Sequence, residues 1–277
     1  MNDKIRIVTL CENYVEPSFG LTASHGFSLF IEFNGKKFIY DIGQDDTFIK
    51  NAKKLNIKLA DCKNLIVSHG HFDHAGALDI SNSIIDGQKV IIHEQAFKNK
   101  YRVSGTEKFN IGLRFNKSND ITGKDFKDTF TLVENFFILS NIPSYKHKGS
   151  TEEQLMVEDG ENITTDTFSD ELSLAIKTKK GLIVISACSH NGCYNIIKHA
   201  QNVTKEKRIA YFIGGLHLKF SSKKNAHEEL NELNSLNVEH YVIGHCTGLD
   251  NIFHFKKIAP DSTKITVNHI GHEVIII

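Results

Sequence analysis

Six consecutive residues, His69-Gly70-His71-Phe72-Asp73-His74, constrain this chain more than any other stretch. They follow a short apolar run, Leu65 to Ser68, and lead into Ala75-Gly76-Ala77-Leu78, small residues that suit a helix start lying close on a sheet. A fold that accommodates them ends a strand at a sheet edge and turns at once into a helix, with four nitrogen or oxygen donors pointing outward and Gly70 relaxing the backbone. That is a metal-site layout. His69 and His71, two apart, can serve one ion, while Asp73 and His74 at the helix entry point toward a second position beside it. A surface turn carrying histidines by accident is the bland alternative, and four donors within six residues argue against it.

The segments around this turn read as alternating strands and helices. Ile5 to Leu10 is a buried strand, and Phe27 to Phe33 and Lys37 to Ile42 form a hairpin about Asn34-Gly35, a dipeptide suited to the positive φ values of a type I′ turn. Phe48, Ile49, Ala52 and Leu55 fall at helical spacing within Asp45 to Leu55. Val90 to His93 is the next strand, and Ala96 to Tyr101 has a helix-like pattern. From about residue 94 to 166 the pattern weakens, with polar runs at 116 to 120 and 146 to 153 around two apolar pieces, Phe130 to Val133 and Phe136 to Leu139. This predicts an insertion or lid. Strands at Leu172 to Lys177, Leu182 to Ser186, Ile209 to Ile213, Tyr241 to Ile243, Ile265 to Val267 and Val274 to Ile277 then enclose helices at Asn195 to Ala200, Ala226 to Leu236 and Ile252 to Ile258. Two β-rich halves that each carry helices predict a layered α/β sandwich within one domain, residues 1 to 277, because each sheet buries one face and covers the other with helices.

Composition excludes several function classes. With 33 basic and 33 acidic residues the net charge is zero, so no general field draws the chain to nucleic acid or an anionic membrane. No apolar run reaches the roughly 18 residues of a membrane span, and the first residues lack a signal-peptide pattern; the expectation is a cytoplasmic protein. Five scattered cysteines fit reduced thiols better than a disulfide framework. Neither a Gly-x-Ser-x-Gly elbow nor a P-loop occurs, which leaves nucleophilic serine and triphosphatase chemistry unsupported. Oligomeric state is left open.

The excess is in histidine, 15 in all. His190, His217 and His245 each fall just after an apolar strand, and in α/β sheets sites gather at the carboxyl ends of strands. Glu12 and Asn13 after the first strand and His25 before the hairpin are expected near the same pocket. Cys188 and Cys246 flank His190 and His245, where buried structural thiols are the commoner outcome and a thiolate contact the alternative. Histidines 93, 147, 199, 227, 240, 254, 269 and 272 are assigned no role.

This set resembles the metallo-β-lactamase superfamily, whose hallmark His-x-His-x-Asp-His is matched by His69, His71, Asp73 and His74. The segments HGFSLFIE, DIGQ, SHGHFDHAG, KKGLIVISACSHNG, IGGLHL and GHCTG further resemble its branch of 7,8-dihydropterin-6-methyl-4-(β-D-ribofuranosyl)-aminobenzene-5′-phosphate synthase-like proteins. The resemblance implies a four-layer αβ/βα sandwich, with His69, His71 and His190 on a first metal and Asp73, His74 and His245 on a second. It also implies that Asp41, in Tyr40-Asp41-Ile42-Gly43, supports the metal-binding turn by hydrogen bonds. One departure stands out: many superfamily hydrolases carry a bridging aspartate after the strand that here ends in Ile213-Gly214-Gly215. His217, two residues on, either fills part of that role or faces the substrate.

The implied chemistry is a metal-dependent hydrolase in which metal-activated water attacks a small anionic ester or phosphate compound. Asp73 is expected to orient the nucleophile and accept its proton, and His217 to hold the leaving group. The implied cofactor is one or two divalent ions, zinc first, with manganese and iron fitting the same ligands. The branch implies an alternative, a metal-dependent transferase in pterin-type cofactor synthesis. An iron-binding redox protein is a second alternative, and a structural metal site a third.

Overall fold

The computed structural model describes residues 4–17, 20–78, 87–113, 121, 123–146 and 154–277, so the polar run 116–120 and most of the run 146–153 lie outside the described residues. Two units make up the chain. The first comprises Met1–Asp125, Leu155–Thr164 and Asn268–Ile277. Its main sheet begins with β1 (Ile5–Cys11), β2 (Ser28–Phe33) and β3 (Lys36–Tyr40). Asn34 and Gly35 lie at φ 50° and 79°, the left-handed pair that lets β2 fold back on β3 with the expected register, Phe33 opposite Lys36. The chain then crosses over through helix α1 (Thr47–Lys54), whose Phe48 and Ala52 sit in the core, and returns as β4 (Asn64–Ile66) and β5 (Lys89–Ile91), both parallel to β3. Strand β17 (Glu273–Ile276) closes the other edge beside β1. The order is β17-β1-β2-β3-β4-β5. From the end of β4 the chain runs through residues 67–71 into a short helix, α2 (Phe72–Ala75), which carries Asp73 and His74, and then one 3-10 turn, Gly76–Leu78.

The helix expected over Ala96 to Tyr101 is not formed. A 3-10 turn, Glu94–Phe97, is followed by β6 (Lys100–Ser104), which pairs antiparallel with β7 (Glu107–Asn110) and with β10 (Leu155–Asp159). With β11 (Asn162–Thr165) these make a four-stranded sheet, β11-β10-β6-β7, that the weak apolar pattern did not predict. Tertiary pairing decides the matter: Tyr101 and Val103 alternate with polar neighbours, a hairpin closes at Gly105 (φ 60°), and the Tyr101 hydroxyl donates a hydrogen bond to Glu158 on β10.

The second unit comprises Phe126–Gln154 and Thr165–Val267. Strands β8 (Phe130–Val133), β9 (Phe136–Leu139), β12 (Ser173–Thr178) and β13 (Gly181–Ser186) run antiparallel, and β14 (Ile209–Gly214), β15 (Val238–Ile243) and β16 (Lys264–Val267) continue the sheet parallel to β13. Parallel neighbours need crossovers, supplied by helices α3 (Cys193–Thr204), α4 (Lys223–Asn234) and α5 (Leu249–Ile258). All six residues of β13 are buried, which explains its unbroken apolar sequence. Leu182, Val184, Phe212, Tyr241 and Ile243 meet Ile197, Leu230, Leu233 and Phe255 of the helices in one core. Each buried aliphatic or phenyl side chain contributes about 1.5–3 kcal/mol to folding. The carboxyl ends of β13, β14 and β15 thereby present residues 187–190, 215–217 and 244–246 along one edge of the sheet. No helix among the described residues is long and apolar enough to cross a membrane.

Candidate metal centre

In the first unit, the turn after β4 is built around one buried carboxylate. Asp41, which follows β3 at φ 59°, accepts the Ser68 amide on Oδ1 at 2.6 Å. Its Oδ2 receives the Ser68 hydroxyl at 2.6 Å and stands 2.8 Å from His74 Nδ1. Burial pushes the Asp41 carboxyl above its ordinary range, and the bonds from His74 and Ser68 pull back toward the charged form. The backbone fixes the same turn, with the amides of Ile42 and Phe27 donating to the carbonyls of His74 and Asp73. Gly70 has another function than relaxing the backbone. A Cβ there would lie 2.1 Å from the Ala96 carbonyl oxygen, so glycine is required by close approach.

These supports aim the rings. His74 turns Nδ1 to Asp41 and Nε2 to Asp73 Oδ2, 3.7 Å away. Ser68 Oγ stands 2.8 Å from His69 Nδ1, which leaves His69 Nε2 facing His71 Nδ1 at 3.0 Å. Two imidazole nitrogens on one tetrahedral zinc lie about 3.3 Å apart, so this pair has the bite of a chelate. All four donors are buried. The half-exposed His25 reaches Asp73 Oδ2 with Nε2 at 3.3 Å, and its Nδ1 stands 3.2 Å from Asn13 Oδ1. Glu12 instead turns inward, accepting from the amide of Asn13 and from Asn268 Nδ2.

In the second unit, Ser189, His217 and His245 sit at the strand ends in left-handed conformations, φ 62°, 52° and 49°. Such backbones are uncommon outside glycine and gather at functional sites. His190 lies flat against Phe168, with ring centroids 3.9 Å apart and 1° between planes, and His217 lies 4.2 Å away on its other contact. The buried Glu171 accepts the amides of His190 and Asn191, each at 2.7 Å, and the Asn191 side chain at 2.9 Å. Sequence reasoning missed Glu171 and Phe168; the one signal was a carboxylate, Glu171, directly before the apolar run of β12. His245 shares its neighbourhood with Cys188 and Cys246, the ligand atoms of the three within 4.8 Å of one another. Gly214 and Gly215, where a bridging aspartate was looked for, have no room for a side chain. A Cβ on Gly214 would lie 1.7 Å from Ser186 O, and one on Gly215 2.4 Å from Cys246 Sγ.

The unassigned histidines find local partners. His93 accepts the Gln95 amide, His199 meets Thr129, His240 meets Thr266, and His227 meets His254. His147 lies outside the described residues. All five cysteines are unbridged, and burial pushes the Cys62 thiol up to about 12.

Residues 21–245 match the family model of the metallo-beta-lactamase superfamily. The chain is 30% identical over 270 residues to the 7,8-dihydropterin-6-methyl-4-(beta-D-ribofuranosyl)-aminobenzene-5′-phosphate synthase of Methanocaldococcus jannaschii, with 91% of each chain covered. Its backbone superposes with a TM-score of 0.82, at 31% identity and 98% of both chains, on a metal-dependent hydrolase of the beta-lactamase superfamily. The metallo-beta-lactamase fold protein YhfI from Bacillus subtilis shares the fold at 12% identity, with a TM-score of 0.58 and 99% and 100% coverage.

Proposed function

The chain belongs to the metallo-beta-lactamase superfamily, and from that membership we propose that it is a metal-dependent hydrolase of a small anionic ester or phosphate compound. The observation that carries this reading is the arrangement of the turn: two buried imidazole nitrogens 3.0 Å apart, with Asp73 and His74 behind them and a buried carboxylate orienting His74. The donor set of neutral imidazoles and a carboxylate suits a first-row divalent ion, zinc ahead of manganese or iron. The metal-ligating residues we assign are His69, His71, Asp73 and His74 in the first unit and His190 and His245 in the second. A bound ion of this kind supplies a water acidic enough to react at neutral pH.

The chain's own residues do the rest. Asp73, with its carboxylate 3.3 Å from His25 Nε2, is placed to hold the reacting water and take its proton. His25, half-exposed and tethered to Asn13, can pass that proton outward. His217, fixed in a left-handed turn, positions the leaving group. Asp41 sets the tautomer of His74 by holding Nδ1–H. In Asp41→Asn the amide donates to Nδ1 instead, which moves the ring proton to Nε2, the nitrogen facing Asp73. Metal affinity is expected to fall about 10- to 100-fold with the fold retained. Titration against a chromophoric chelator measures the first, and a thermal melt in excess chelator checks the second.

A second reading has its own support, since the 30% identical relative over 91% of both chains is a synthase. A transferase would join a pterin-like electrophile to a phosphorylated ribosyl-aminobenzene. Solvent labelled with heavy oxygen separates the two on protein whose metal content is first measured by elemental analysis. Label in the product of a small anionic carboxylic ester or a phosphate ester supports the hydrolase. Turnover that requires a second organic substrate, with no label incorporated, replaces it with the transferase, and metal-free protein with full turnover refutes both.

A further inference from the structure

Beside His245, the second unit holds two thiols that neither reading uses. Cys246 and His245 are consecutive on a tight turn, His245–Thr247, pinned from both sides: the Thr247 amide donates to Gly244 O, and the Lys219 amide donates to Cys246 O. Cys188 follows β13 by two residues and is buried, and its carbonyl receives the Cys246 Sγ–H at 3.6 Å. The ligand atoms of Cys188, His245 and Cys246 lie within 4.8 Å of one another. Sulfur and imidazole ligands of a tetrahedral zinc stand about 3.3–3.8 Å apart, a difference that modest side-chain rotation closes.

A second observation concerns the neighbouring backbone. The space that a side chain at 215 would enter is taken by the Cys246 sulfur, at 2.4 Å from the position of its Cβ. The end of β14 thus has a sulfur from the end of β15 against it in place of a side chain of its own. As a thiolate, that sulfur is a strong ligand for a borderline-soft ion.

We propose that Cys246, with Cys188 and His245, forms a mixed thiolate and imidazole subsite for a thiophilic divalent ion within the second unit. The ion enters as the aquo-cation, and the Cys188 and Cys246 protons leave to solvent as the two metal–sulfur bonds form. The subsite selects zinc and cobalt over manganese and magnesium, whose preference is for oxygen donors. This rests on the reading that the protein binds a divalent metal, and it adds sulfur to the ligands named there.

Cobalt(II) distinguishes the two. Loaded into the full-length protein, cobalt bound by nitrogen and oxygen alone gives only visible ligand-field bands, whereas a thiolate ligand adds an intense near-ultraviolet charge-transfer band. The expected result is both sets in the wild-type protein, with the near-ultraviolet band weakened in Cys246→Ser and in Cys188→Ser and lost in the double variant while the visible bands persist. Visible bands without the near-ultraviolet band in the wild type overturn the thiolate and leave the metal-dependent enzyme standing. No cobalt uptake, together with no metal by elemental analysis, overturns both. A near-ultraviolet band undiminished in Cys246→Ser overturns the assignment of that residue. Alkylation of the wild-type protein, mapped by peptide mass, adds a readout independent of the variants: cobalt is expected to protect Cys246 from iodoacetamide, and equal labelling with and without cobalt contradicts the proposal.

Discussion

His71→Ala is expected to lose most of its bound metal and all measurable metal-dependent turnover while keeping a cooperative fold. The reason lies in how the turn divides its labour. The backbone of His71 caps α2, its carbonyl accepting the amides of His74 and Ala75, and alanine preserves both bonds. What alanine removes is the ring whose Nδ1 stands 3.0 Å from His69 Nε2. Truncating one buried ring in a polar turn costs the apo fold about 1–2 kcal/mol. The larger effect is on linkage. Metal at about a thousandfold excess over its dissociation constant stabilises the native state by about 4 kcal/mol, and that increment disappears with the site. Thermal melts with and without chelator therefore converge in the variant and stay apart in the wild type. Equal metal content in the two proteins with normal turnover would refute the assignment of the turn.

That turn was legible in the sequence because its donors are local. Four donors in six residues need only a strand and a helix close together, and the structure has β4 ahead of His69 and His71 while α2 itself carries Asp73 and His74, starting three residues earlier than the Ala75 start read from the sequence. His190, His217 and His245 were marked by a related regularity, each ending an apolar strand, and all three follow parallel strands of one sheet at their carboxyl ends. The illegible parts depend on distant partners. Ala96 to Tyr101 looks helical in a short window, and Lys100 and Tyr101 instead open a strand because β10, more than fifty residues on, supplies the opposite ladder, Leu155 facing Arg102 and Val157 facing Lys100. Glu171 is given no role in the sequence, yet it is buried and accepts the amides of His190 and Asn191 beyond the end of β13. The sequence marks Gly214-Gly215 as a departure, but only the structure shows that the volume is already taken by Cys246.

This filled volume leads to the second large expected effect. Gly215→Asp, which on sequence grounds restores a bridging carboxylate, is expected to destabilise the protein by at least about 3 kcal/mol and to leave metal stoichiometry no higher than in the wild type. A Cβ at 215 meets Cys246 Sγ at 2.4 Å and the Ala187 carbonyl oxygen at 2.6 Å, and a carboxylate beyond it has to be desolvated as well. Gly215→Ala isolates the steric part and is expected to be destabilised less than the aspartate variant, as read from urea unfolding midpoints. Adding Cys246→Ala to Gly215→Asp removes the nearer obstacle, but the Ala187 oxygen is backbone and cannot rotate away, so the rescue is expected to be partial. Full recovery in the double variant would show that the sulfur alone closes the position. A singly substituted Gly215→Asp protein with wild-type stability and an additional bound ion would overturn the steric account, because the strand end would then have the freedom to admit a side chain after all. Failure of the carboxylate together with weakening of the cobalt charge-transfer band in Cys246→Ser would show that the sulfur filling the position beside Gly215 is itself a metal ligand.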